Sequence, residues 1–132
     1  MSQIVSRILR LGLVIISGIV LTGIVPISVA QFRTGDACPS IGFIPACYLV
    51  TICYAAIGVA AAMWRKPNDW LFFAGAAPVI GLALAGTTAE IVGLPTCPRS
   101  ATGWPLCYTS LMVGTGIAVT YMVIRRLELQ VA

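Results

Sequence analysis

The chain has 132 residues, of which 59% are hydrophobic and 9% are charged, and its mean hydropathy is +1.00. Soluble domains are about 45–50% apolar and about 25% charged, so a soluble domain of this length could not bury so much apolar surface. The net charge of +4 comes from a few basic residues at the ends of apolar runs. That pattern is typical of membrane-protein loops and excludes a nucleic-acid-binding surface. The chain contains no histidine, which excludes nucleophilic sites that depend on one.

No charged residue lies between Arg10 and Arg33, Asp36 and Arg65, Asp69 and Glu90, or Arg99 and Arg125. These four stretches predict four transmembrane helices, near residues 8–31, 46–64, 70–92 and 105–126. Each has about 20 residues or more, enough for a helix to cross roughly 30 Å of hydrocarbon. The runs are continuously apolar rather than alternating, which favours helices over the strands of a closed barrel. We therefore predict an all-α integral membrane protein, a bundle of four transmembrane helices that forms a single membrane domain over residues 1–132.

The first apolar run has some features of a signal peptide. Arg7 and Arg10 precede it, and Ser28-Val29-Ala30 resembles a cleavage site made of small residues. Because the run is longer than the apolar segment of a signal peptide, which has about 7–15 residues, we interpret it as the first transmembrane helix.

The basic residues predict the orientation of the chain. Six of them fall on the side of the two termini: Arg7, Arg10, Arg65, Lys66, Arg125 and Arg126. Only Arg33 and Arg99 fall on the other side. Basic residues are enriched in cytoplasmic loops, so we expect cytoplasmic termini and two extracytoplasmic loops. We expect the protein to lie in a bacterial inner (plasma) membrane.

The two outer loops repeat one sequence pattern. Each begins with Cys-Pro and ends with Pro-x-Cys-Tyr, from Cys38 to Tyr48 in the first loop and from Cys97 to Tyr108 in the second. A glycine followed by an aromatic residue precedes the second proline of both loops. The pattern indicates two copies of a helix hairpin, repeat 1 over about 8–66 and repeat 2 over about 70–126.

The match between the copies extends beyond the loops. A pair of basic residues lies 18 and 19 residues after the second cysteine of each loop, and Gly18 and Gly23 correspond to Gly81 and Gly86. Both copies begin and end on the same side of the membrane. The repeat therefore predicts a pseudo-two-fold axis along the membrane normal.

Four of the five cysteines belong to the outer loops, and Cys53 lies inside the second predicted helix. The outer side of the membrane is oxidising, which favours disulfides. Four cysteines allow three pairings, and the repeat favours the pairing within each loop, Cys38–Cys47 and Cys97–Cys107. Two hypotheses stay open for these bridges: they are structural, or they exchange electrons with other thiols.

Four helices, cytoplasmic termini and two outer cysteine pairs resemble the DsbB and vitamin K epoxide reductase families of membrane thiol oxidoreductases. The resemblance implies that electrons pass from disulfide-forming partners to a quinone. It implies that Cys38 and Cys47 receive these electrons and that Cys107 is a quinone-proximal cysteine. The three residues after Cys107 contain no cysteine, so the Cys-x-x-Cys motif of those families is missing here.

Two polar groups inside the predicted helices are candidate functional residues. Glu90 lies near the outer end of the third helix. It either pairs with Arg99 or Arg33 at the interface, or faces the bundle centre and binds a cation or relays a proton. Cys53 is either a small buried apolar residue or part of a thiol path for a soft metal. No set of residues in the sequence has the spacing of metal ligands, so we predict no metal site.

Three functions are compatible with these features. We favour an accessory or structural subunit of a larger membrane complex, because the chain is small and has few groups suited to catalysis. The first alternative is a membrane thiol–disulfide oxidoreductase that uses Cys38/Cys47 and Cys97/Cys107, with quinone as its cofactor. The second is a small oligomeric transporter or metal-handling protein. The expected partners are lipid, other membrane subunits or further copies of the chain, and not nucleic acid.

Overall fold

The computed structural model describes residues 2–36, 38–63, 69–94, 97–100 and 102–131. Four helices account for most of these residues: α1 (Ser2–Thr34), α2 (Ala46–Ala62), α3 (Asp69–Ile91) and α4 (Leu106–Val131). Two short strands, β1 (Ser40–Ile41) and β2 (Ile44–Pro45), form an antiparallel hairpin between α1 and α2.

The four helices form an antiparallel ring. Each helix packs against the next one along the chain, and α1 packs against α4, which closes the ring. The hydroxyl oxygens of Ser28 and Thr51 lie 3.0 Å apart towards one end of the α1–α2 pair. Towards the other end, the Arg10 guanidinium donates to the carbonyl of Met63 at 3.5 Å. We call the end that holds the chain termini the terminal end, and the end that holds the α1–α2 and α3–α4 connections the loop end.

The helices α1, α3 and α4 are long and apolar enough to cross a membrane. α2 is shorter, with 17 residues, about 25 Å at a rise of about 1.5 Å per residue. The predicted second helix, 46–64, is thus too long: the helix ends at Ala62, because the backbone of Met63 has left helical geometry, with φ −75° and ψ 83°. Arg65 and Lys66, two of the basic residues that predict the orientation, lie outside the described residues.

Two other helices extend beyond the predicted bounds. α1 begins at Ser2 instead of residue 8, and α4 continues to Val131 instead of ending at residue 126. The prediction placed the helix ends at charged residues. The α4 extension carries Glu128, which pairs with Arg10 and Arg125, so a charged residue does not end this helix.

Buried apolar side chains from all four helices fill the centre of the ring, and the largest are Tyr54, Phe72, Leu13, Ile57, Ile124 and Val79. Gly75 lets α3 approach α2 closely, because a Cβ atom at this position would lie 2.7 Å from the carbonyl oxygen of Cys53. The rings of Phe72 and Tyr121 stack with their centroids 3.7 Å apart, which joins α3 to α4. The helices therefore pack through small residues and aromatic contacts.

Candidate functional site

The loop end contains two disulfides, Cys38–Cys47 and Cys97–Cys107. Each bridge closes the connection between two antiparallel helices, and its second cysteine is the second residue of the following helix. Cys53 is the free cysteine of the described part of the chain and is buried on α2. The loop end thus holds the four cysteines that the sequence placed in the outer loops.

The two disulfide loops share a backbone hydrogen bond at matching positions. The N–H of Ala46 donates to the carbonyl of Pro39 at 3.0 Å, and the N–H of Leu106 donates to the carbonyl of Pro98 at 3.1 Å. In both loops the bond joins the start of a helix to the proline after the first cysteine. It satisfies a helix N-terminal donor that has no partner within the helix.

The loops also share a turn. Gly42 has φ +65° and Gly103 has φ +80°, a conformation that only glycine adopts without strain. The turn lies in the β1–β2 hairpin of the first loop and next to the single bridge Arg99–Pro105 of the second. The local geometry is therefore similar in both loops. The duplication of the whole helix hairpins and its pseudo-two-fold axis stay predictions.

The two disulfides differ in how they are covered. Cys97 is 8% exposed, whereas Cys107 and both cysteines of the first bridge are half-buried. A Cβ atom on Gly86 of α3 would lie 2.6 Å from Cys107 Sγ and 3.0 Å from Cys97 Sγ. The second bridge therefore packs directly on the α3 backbone. Gly23 of α1 matches Gly86 in the repeat, but a Cβ atom there would meet no described atom within 4 Å.

A cavity of about 310 Å³ lies beside the first bridge. Its wall comes from α1, α2, α4 and the second loop: Ile19, Val20, Gly23, Ile24, Ile27, Ala46, Cys47, Val50, Tyr54, Pro98, Leu106, Thr109, Ser110 and Val113. The wall is mainly apolar. Tyr54 is completely buried, and its hydroxyl has no hydrogen-bond partner among the described residues.

Glu90 pairs with Arg99 at the loop end, with 2.6 Å between Oε1 and the guanidinium. The Arg99 side chain is 56% exposed and that of Glu90 is 11% exposed, so the pair lies at the edge of the bundle. It joins the last turn of α3 to the second loop. The other oxygen, Oε2, is buried and has no partner in the described part of the chain. Of the two arrangements that the sequence left open, the structure shows the pair with Arg99.

A network of charged side chains joins the helices at the terminal end. Arg10 of α1 forms an ion pair with Glu128 of α4, which also accepts a hydrogen bond from Ser6 at 3.0 Å. Arg125 lies 2.7 Å from an oxygen of Asp69 on α3 and 3.5 Å from Glu128. Both acids thus bridge between helices.

Two neutral groups complete this network. The hydroxyl of Tyr121 donates to Asp69 at 2.6 Å, and Arg10 reaches the carbonyl of Met63 directly after α2. Three helices and the residue directly after α2 therefore contribute to the terminal-end network. In the sequence, Arg10 and Arg125 predict only the orientation of the chain, and their pairing with Asp69 and Glu128 was not predicted. One signal for this pairing was available in the sequence: Asp69 and Glu128 lie on the same predicted side of the membrane as the basic residues.

Among the described residues, no three His, Cys, Asp or Glu side chains come together in a way that would hold a metal ion. Comparison of the chain with protein-family models, curated proteins and solved structures found no match in any of the three. The loop end, which holds both disulfides and the cavity, is the candidate functional site.

Proposed function

We propose that this chain is a membrane-spanning four-helix bundle that serves as an accessory subunit of a larger membrane complex. The length and apolar character of three helices support the membrane location. The excess of basic residues on the side of the termini supports cytoplasmic termini and an extracytoplasmic loop end.

The observation that carries the subunit proposal is an apolar hairpin tip on the first loop, formed by Ile41, Phe43 and Ile44. Phe43 is fully exposed, and the two isoleucines are more than half exposed. The β1–β2 pairing and the Cys38–Cys47 bridge hold the tip in one conformation. A surface that is ordered before binding loses little conformational entropy on association, so an exposed apolar tip of this kind favours a protein partner.

The backbone of the tip also favours protein over lipid as its contact. The hairpin has only two short strands, and their outer N–H and C=O groups are unpaired by the ladder. Such groups are costly in hydrocarbon, where no water satisfies them. The tip therefore lies beyond the hydrocarbon, where Phe43 and its neighbours gain most from an apolar groove on another protein.

Site-specific photocrosslinking in native membranes tests this proposal. A photoreactive amino acid at Phe43 is expected to give a protein adduct of defined mass. The matched control is Thr102, which is exposed on the second loop, and it is expected to give little or none. Ile41→Ser with Ile44→Ser is expected to reduce co-purification of the same partner in mild detergent. An absence of protein adducts at Phe43, or an adduct with a second copy of the chain, would exclude the accessory role.

A second candidate function is a membrane thiol–disulfide oxidoreductase of the type that the sequence resembles. The observation that favours it is the difference in cover between the two bridges. The Cys38–Cys47 bridge lacks the close helix contact that covers the second bridge. Cys47 also lies in the first turn of α2, where the helix dipole stabilises a thiolate. In this function Cys38–Cys47 would accept two electrons and two protons from a partner dithiol and pass them through Cys97–Cys107 to a quinone.

A redox titration of the purified protein distinguishes the two candidates. Free thiols are alkylated at each potential, and peptide mass identifies which bridge has opened. An oxidoreductase requires Cys38–Cys47 to open between about −270 and −120 mV, the range of known exchange proteins. Two bridges that stay closed to below about −300 mV are structural and would exclude the second candidate.

A further inference from the structure

We infer that the terminal end carries a docking surface for an amphipathic helix of another protein whose apolar face is flanked by acidic residues. The surface lies on the parts of α1 and α4 that extend past the other two helices, residues 2–9 and 126–131, which we call the terminal arm. The proposed membrane location of the bundle is its premise, whereas the proposed contact at Phe43, at the opposite end, is not.

The first half of the terminal arm is the start of α1. Arg10 donates to the carbonyl of Met63, the residue directly after α2, at 3.5 Å. Residues 2–9 lie beyond that level and add about 12 Å at about 1.5 Å per residue. α1 has 33 residues and is about 50 Å long, whereas the hydrocarbon layer is about 30 Å thick. Because charged groups are costly in hydrocarbon, Arg10 marks its edge, and residues 2–9 lie outside it.

The second half of the terminal arm is the end of α4. Arg125 lies 2.7 Å from Asp69, the first residue of α3. Residues 126–131 therefore extend about 9 Å past α3. The buried hydroxyl of Ser6 on α1 donates to Glu128 at 3.0 Å. This contact holds the two helices of the arm together, so the surface is ordered before a partner binds.

Exposed apolar side chains cover the terminal arm. Ile4 and Leu129 are 64% and 69% exposed, and Val5 and Ile8 are exposed as well. In the middle of the bundle such side chains face lipid. Outside the hydrocarbon they face water unless another surface covers them. Clustered apolar side chains in water mark a contact site for another protein or for a membrane surface.

The order of residues along both helices favours a protein over a membrane surface. Helices that rest on a membrane bury their apolar side chains next to the hydrocarbon and extend their basic side chains outwards. The terminal arm has the reverse order, because Ile4 lies about 4.5 Å farther out than Arg7. In α4, Leu129 lies about 4.5 Å farther out than Arg126. The outermost apolar side chains are therefore within reach of a protein, and the lipid lies behind the arginines.

The charge of the terminal arm selects an acidic partner. Both acids of the terminal-end network are already paired, with Arg10 and Arg125. Arg7 and Arg126 are exposed and have no carboxylate partner among the described residues. Their like charges oppose contact between two copies of the arm, whereas carboxylates on a partner would pair with them. An amphipathic helix supplies an apolar face and charged flanks together.

Quenching by brominated lipids tests whether the terminal arm lies outside the hydrocarbon. A fluorescent label on Ile4→Cys is expected to keep its emission in brominated nanodiscs, both of phosphatidylcholine alone and with phosphatidylserine. The control is Ile16→Cys, exposed in the middle of α1, and its label is expected to be quenched. The other cysteines do not compete for the label, since four are bridged and Cys53 is buried.

The two labels separate two kinds of failure. Emission that stays unquenched at position 16 would refute the membrane location and the docking surface with it. Quenching at both positions would place the terminal arm on the membrane and would overturn the docking surface alone.

Two designed helical peptides test the chemistry of the partner. Both have leucines on one face, and the flanks carry glutamates in one peptide and lysines in the other. Fluorescence anisotropy measures their affinities for the protein in phosphatidylcholine nanodiscs, with empty nanodiscs as the blank. The glutamate peptide is expected to bind about 10-fold more tightly or better. Equal affinities would overturn the acidic class of partner.

Paired variants locate the glutamate peptide on the terminal arm. Ile4→Ser with Leu129→Ser is expected to weaken its binding about 10-fold through loss of apolar contact. The matched control is Phe32→Ser, an exposed apolar residue at the other end of α1, which should leave binding unchanged. Arg7→Gln with Arg126→Gln should weaken binding and reduce its dependence on salt. Unchanged binding in either double variant would overturn the docking surface.

Discussion

Replacing Glu128 by alanine should destabilise the bundle strongly. Glu128 is the acceptor for Arg10 and Ser6 and contacts Arg125 at 3.5 Å. The Arg10 side chain is only 9% exposed, and without Glu128 it would keep only its 3.5 Å bond to the carbonyl of Met63. Removing one partner of a buried ion pair costs about 3–5 kcal/mol. Because the Glu128 side chain is 27% exposed, we expect the lower value, about 3 kcal/mol.

Unfolding in mixed micelles with increasing sodium dodecyl sulfate, followed by far-ultraviolet circular dichroism, measures this loss. The matched control is Glu90→Ala, which removes the same side chain from the pair with the exposed Arg99. Exposed pairs contribute about 0–1 kcal/mol, so this variant should stay close to the wild type. The combination of Glu128→Ala with Arg10→Ala should cost less than the sum of the single changes, because no unpaired charge remains. A larger effect of Glu90→Ala than of Glu128→Ala would refute this reasoning.

Three further predictions concern packing, the first bridge and the aromatic contact, and the same unfolding assay measures each. Gly86→Ala should lower the free energy of unfolding by about 1–3 kcal/mol, because its methyl group would overlap the second bridge. Gly23→Ala should be neutral or stabilising, and equal effects of the two substitutions would contradict the difference in cover between the two bridges. Cys38→Ser with Cys47→Ser should cost about 2–3 kcal/mol by releasing a short loop, and an unchanged midpoint would show that this bridge contributes nothing. Tyr121→Phe should lower the free energy of unfolding by about 1–2 kcal/mol, because it removes the hydrogen bond to Asp69 but keeps the ring stack with Phe72. A larger loss than that of Glu128→Ala would contradict the prediction that the buried ion pair contributes more than this hydrogen bond.

The helices and the loop cysteines could be predicted because their signals are local. An uncharged run of sufficient length predicts a helix without knowledge of its neighbours, and the repeated Cys-Pro to Pro-x-Cys-Tyr pattern places two cysteines at the start and end of one short loop. The bounds of α1 and α4 were wrong because both helices continue past charged residues. In α4, Glu128 pairs with Arg10 of α1, and this partner is not visible in the local pattern.

The terminal-end network and the cavity could not be predicted from local patterns. Arg10 and Glu128 are 118 residues apart in the chain and meet only because α1 packs against α4. The cavity depends on the spacing between α1 and the first bridge, and the nearly identical loop motifs carry no sign of it. Gly23 and Gly86 look equivalent in the sequence, but only Gly86 contacts a disulfide. The cytoplasmic location of the termini and the membrane-normal axis stay predictions.

The Arg10–Glu128 pair has a consequence for biosynthesis. The first helix is synthesised early, but the acid that neutralises its buried guanidinium belongs to the last helix to be made. Until α4 is synthesised, α1 carries an unpaired charge on a face that packs against the other helices in the finished protein. A chain that stops short of α4 would therefore leave Arg10 without its carboxylate partner, so closure of the helix ring depends on completion of the last helix.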